Sequence, residues 1–92
     1  MIFMTQVEHL LDIFEQPADD IISGRRTFDI VNINHCIQTG DIVKYQCITS
    51  GLRLTKLHDI NHKTYLVSYV CFDARIASNY AVIGLTLLNN SN

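Results

Sequence analysis

Apolar and polar positions alternate along most of this chain with a period of two rather than 3.6, which is the mark of strands. Residues 7–14 put Val7, His9, Leu11 and Ile13 on one side and predict a first strand. One segment breaks the rhythm. From Gln16 through Gly24, the spacing of Ala18, Ile21 and Ile22 fits one face of a helix. Pro17 suits the first helical position, Asp19 and Asp20 suit the first turn, and Gly24 suits the left-handed residue that closes a helix. At about two turns, such a helix needs docking on the rest of the chain to persist.

The alternation then resumes. A strand is predicted over 27–33 and is broken by Asn34-His35-Cys36; Thr39-Gly40-Asp41 turns into another over 42–49, where Val43, Tyr45 and Cys47 share a face. Ser50-Gly51 predicts a reversal into a further strand over 52–57, with Leu52 and Leu54 alternating with Arg53 and Thr55. In His58-Asp59-Ile60-Asn61-His62 the two histidines would share a metal-binding face on a helix, but Asp and Asn favour a turn. Residues 63–72 are apolar on both faces and predict a strand covered on both sides. A loop or single helical turn at 73–78 leads to a last strand over 79–87 and a polar tail. Five or six strands with one short helix after the first predict an α+β, mainly β domain: a small, partly closed antiparallel β-barrel with the helix packed on it.

Ninety-two residues, 48% of them hydrophobic and 17% charged, fit one ordered domain with its core over about 7–88. The apolar stretch 76–88 is too short to span a bilayer, and the first six residues carry no basic region, so a cytoplasmic protein without membrane association is expected. Cys36, Cys47 and Cys71 are odd in number and lack Cys-x-x-Cys spacing, which argues against a disulfide scaffold and a Cys-rich zinc site. No cofactor or metal is implied. The formal net charge of −2 argues against unspecific coating of nucleic acid, but its distribution is uneven. Residues 1–24 hold five acids and no Lys or Arg, whereas residues 25–92 hold seven such cations against four acids. The sign reverses at Arg25-Arg26, where two guanidinium forks, held between a helix end and a strand, can grip a phosphate.

The run over 9–41, with Ile22-Ser23-Gly24-Arg25-Arg26-Thr27-Phe28-Asp29-Ile30 and Gln38-Thr39-Gly40-Asp41, resembles the ASCH domains, a branch of the PUA-like fold. Asn79-Tyr80-Ala81-Val82-Ile83-Gly84-Leu85 is similar to that group's final Gly-Tyr-Val-Val-x-x-Leu strand, and residues 49–62 find no match. The likeness is to the small single-domain ASCH-like proteins of bacteria and their phages. It implies recognition of RNA or a nucleotide in the cleft between helix, post-helix turn and barrel. Arg25, Arg26 and Thr27 would project there, Lys44 would assist, and Tyr45, Tyr65 or Tyr80 would offer a stacking face wherever one is exposed.

The related acetylcytidine amidohydrolases imply a second reading, hydrolysis of a small acylated nucleoside. Their catalytic Lys and Thr fall at Arg26 and Asp29, and no Glu follows Glu15, which leaves only Asp73 as a third partner. In the small bacterial and phage relatives a basic residue usually follows the strand's Ile, and Val31 stands there instead, a loss for the binding reading. Arginine stays protonated and Asp29 lacks a hydroxyl, so the resemblance favours a non-enzymatic module. A third reading is a regulator, encoded by a phage or a bacterium, that docks on a nucleic-acid-processing protein.

Overall fold

In chain order the elements are β1 (Glu8–Phe14), α1 (Glu15–Ile22), β2 (Phe28–Asn32), β3 (Ile42–Ile48), β4 (Thr64–Cys71) and β5 (Tyr80–Leu87), with 3₁₀ turns at Ile33–His35 and Asp59–His62. This computed structural model describes residues 5–88; the first four residues and the polar tail lie outside them. The five strands form one sheet in the order β1-β3-β4-β5-β2, curled into a half-barrel. The expected mainly β class with one helix after the first strand is the observed one.

One pairing departs from the antiparallel expectation. β1 runs parallel to β3 with Phe14 opposite Ile48, while β3–β4, β4–β5 and β5–β2 are antiparallel. A parallel pair needs a long crossover, and α1, β2 and the loop after β2 supply it. The consequence is that β1 and β3 end side by side. The inward positions close the core: Leu11 and Ile13 of β1, Val31 of β2, Val43, Tyr45 and Cys47 of β3, Tyr65 and Val67 of β4, and Ile83 and Leu85 of β5. Ala18 and Ile21 of α1, together with Ile60, join them, as the helical spacing required.

The helix starts at Glu15, two residues before the predicted first position, so Pro17 is its third residue. Proline fits there because the first four N–H groups of a helix have no intrahelical acceptor to lose. The end is as expected: Gly24 adopts φ +83°, its N–H donates to the Ile21 carbonyl at 3.1 Å, and the Arg26 N–H donates to the Asp20 carbonyl at 3.0 Å. Helix α1 packs on β1, β3 and the 59–62 turn.

Two expectations are corrected. Residues 52–57 form no strand; a single bridge joins Thr55 to Ile48, and Leu52, Leu54 and Leu57 are exposed. Among the described residues no strand pairs with this segment beyond that bridge, so its alternating leucines gain no buried face. Strand β4 is covered on one side only: Tyr65 and Val67 are buried, whereas Ser68 and Tyr69 are exposed at a bulge between Val67 and Tyr69. No helix among the described residues is long and apolar enough to cross a membrane.

The Gln38–Asp41 turn is a structural clamp. Gly40 takes φ +95°, and the buried Asp41 accepts from the Gln38 N–H at 3.0 Å, the Val7 N–H at 3.3 Å and His9 Nε2 at 2.8 Å. Burial pushes the Asp41 carboxyl up, but these hydrogen bonds outweigh it and hold the group below its ordinary value.

Candidate functional site

The half-barrel leaves β1 and β2 as its two edges, and a cleft of about 490 Å³ lies between them. Leu10 and Phe14 line it from β1, Arg26 and Ile30 from the turn and β2, His35 from the 3₁₀ turn after β2, and Arg53 from the loop after β3. Asp12 and Asp29 line it too, so three nitrogen-bearing side chains share the cleft with two carboxylates and an apolar wall.

The arginine pair predicted to face outward together is split by the molecule's own carboxylates. Arg25 Nη2 donates to Asp20 Oδ1 at 2.9 Å, with its side chain 73% exposed. Arg26 turns the other way along the chain: its Nε donates to the Phe28 carbonyl and its Nη2 to Asp29 Oδ1, each at 2.9 Å, with the guanidinium 4.9 Å above the Phe28 ring centre. Alternation along β2 explains this, since Asp29 is the inward residue between Phe28 and Ile30 and a buried carboxylate requires donors. Asp29 also accepts from its neighbour Ile30 N–H at 2.8 Å and from the Tyr45 hydroxyl at 2.7 Å.

Tyr45 is therefore corrected from a stacking face to a core residue, 2% exposed, packed edge-on against Tyr65. Burial, reinforced by the Asp29 carboxylate, raises its hydroxyl far above the ordinary tyrosine value, so it remains a donor. Tyr65 is buried as well, while Tyr80 is exposed. Lys44 points away from this network, pairing with Glu8 at 3.3 Å and bordering a separate hollow with Asn61 and Lys63. Thr27 borders a smaller cavity of about 330 Å³ shared with Ile22 and Lys63, and Arg26 lines this cavity as well as the main cleft.

Five of the seven Lys and Arg side chains are ion-paired: Arg25, Arg26, Lys44, Lys56 and Arg75. Arg53 and Lys63 have no carboxylate partner among the described residues. Arg53 lines the main cleft, with its guanidinium carbon 5.6 Å from the Phe14 ring centre. The alternation of 52–57 concealed it as a solvent-facing strand residue. A local signal was present, because Ser50-Gly51 marks a turn whose far side can return the chain toward β1.

Asp73, considered as a third catalytic partner, is taken by Arg75 at 2.8 Å on both oxygens, which draws its carboxyl down to about 2. His58 and His62 do not share a site: His58 Nε2 meets Asp19 Oδ1 at 2.6 Å. No group of three or more His, Cys, Asp or Glu residues among the described residues is placed to hold a metal. No protein-family model matches this chain, and no curated protein matches it in sequence.

Proposed function

We propose that this chain is an ASCH-like, non-enzymatic module that takes single-stranded RNA or a nucleotide into the cleft between β1 and β2. The observation that carries this reading is the meeting of Arg26 and Arg53, from segments far apart in the chain, on one open cleft that also presents Phe14. Its volume falls within the range of small-ligand sites, and guanidinium groups beside an aromatic face suit phosphate and base together. Arg25 adds to the local field, because an ion pair as exposed as its pair with Asp20 is weak enough for a phosphate to displace the carboxylate.

The acylated-nucleoside reading is less well supported. Asp29, at the position of the relatives' Thr, has its two oxygens committed to three donors, and Arg26 cannot lose a proton. The regulator reading draws support from the edges of β1 and β2, which no other strand among the described residues pairs and which carry Leu10 and Ile30 exposed, able to accept an extended segment.

Salt separates these readings. A fluorescently labelled RNA of about eight nucleotides is expected to bind with log Kd rising by roughly 1.4 per tenfold increase in salt if two cations neutralise phosphates. Absence of binding at about 50 mM salt ends the nucleic-acid reading, since that is the condition most favourable to it. Release of cytidine from acetylcytidine would instead establish the enzymatic one.

A further inference from the structure

We infer that the 49–54 loop builds a nucleobase platform, in which Arg53 lying against Phe14 stacks a purine and turns its N–H edge to the adjoining phosphate. This rests on the cleft being a nucleotide site, and it goes beyond that reading by naming the contact that discriminates base from bare phosphate.

Parallel pairing brings Phe14, the last residue of β1, beside Ile48, the last of β3. The chain leaving β3 reverses through Gly51 at φ +85°. It is then fastened by Thr49: its N–H donates to the Leu54 carbonyl at 2.8 Å, and its Oγ1 accepts from the Leu54 N–H at 3.1 Å. Inside that closed loop Arg53 takes φ +57°, a left-handed conformation that glycine adopts without strain and arginine does not. The loop therefore holds an unfavourable backbone conformation at the residue whose guanidinium reaches the Phe14 ring.

Phe14 remains 43% exposed, and Arg53 has no carboxylate partner among the described residues. A planar cation on an aromatic ring, its N–H edge without a hydrogen-bond partner among the described residues, is suited to a base on its outer face and a phosphate at its rim. Purines offer the larger π-surface of the two base classes. The other cation without a carboxylate, Lys63, is a point charge with no plane to stack, and it does not line this cleft.

The test is amide NMR of the full isotope-labelled chain titrated with adenosine monophosphate and, separately, with ribose 5-phosphate. Shifts are expected at Phe14 and Arg53, with the adenosine compound binding about tenfold more tightly because one base is stacked. Arg53→Lys should abolish that preference while keeping the weaker affinity for ribose 5-phosphate. Arg53→Gly relieves the backbone, so its melting temperature should hold or rise while binding of both probes disappears; Lys63→Ala should bind as the parent does. Equal affinity for the two probes, or unchanged binding by Arg53→Gly, overturns the platform. If RNA binds with the expected salt dependence while adenosine monophosphate leaves Phe14 and Arg53 unmoved, the platform falls and the RNA reading stands. If neither RNA nor either small probe binds, both fall.

Discussion

Asp29 shows how one residue can redirect the chemistry around it. Inward on an edge strand, it must be satisfied, and it takes Arg26, the Ile30 N–H and the Tyr45 hydroxyl to do so. Arg26 is thereby an anchor of the fold before it is a binding group, while Arg25, only one position earlier, stays exposed on a weak surface pair. Tyr45→Phe removes one of the three donors and leaves packing unchanged. It should lower unfolding free energy by about 1.5–3 kcal/mol, the range for a hydrogen bond to a charged group, with an unaltered urea m-value. A loss near zero would mean that the Asp29 oxygen finds a substitute donor in water, and that the network is less closed than its geometry implies.

At the scale of elements, α1 is held by its ends and its neighbours more than by its length. Its N-cap, Phe14, supplies no side-chain hydrogen bond. Docking compensates: His58 Nε2 meets Asp19, and its Nδ1 accepts the Ile60 N–H at 3.0 Å, so a neutral His58 carries its proton on Nε2 and ties the helix to the 59–62 turn. At the other end Gly24 is required by conformation alone, since a Cβ there would meet nothing within 4 Å. Gly24→Ala should therefore cost about 1 kcal/mol, the penalty of an L-residue in the left-handed region, measured as a shift in the urea midpoint. A much larger loss would reveal that the turn carrying Arg25 and Arg26 had moved.

At the scale of the whole molecule, Asp41 joins the segment before β1, the β1 strand itself and the turn before β3. Its carboxyl lies below the ordinary value when folded, so its contribution is complete above about pH 4 and is lost as pH falls through the lowered folded value. Thermal melts should show stability dropping on acidification below about pH 4, and Asp41→Asn, less stable at neutral pH, should drop less steeply. Asp73, drawn down to about 2 by Arg75, titrates in both proteins and cancels from the comparison. A parallel fall in the two proteins would remove Asp41 as the acid-sensitive clamp. Alternation and the Pro17–Gly24 segment made the strands, the helix and its closing glycine legible without coordinates, because period and backbone preference are local properties. The same pattern misread 52–57, where leucines alternate but only Thr55 bridges β3 and the leucines stay exposed. It also left Arg25 and Arg26 looking free, since Asp20 and Asp29 become their partners only once a helix end and a strand face are oriented in space. Local pattern is enough to specify a mainly β domain with a cationic turn after its helix. Tertiary structure alone decided that β1 and β3 run parallel, that the turn is neutralised from within, and that Arg53 reaches Phe14: these depend on which distant segments meet, and local periodicity carries no record of that.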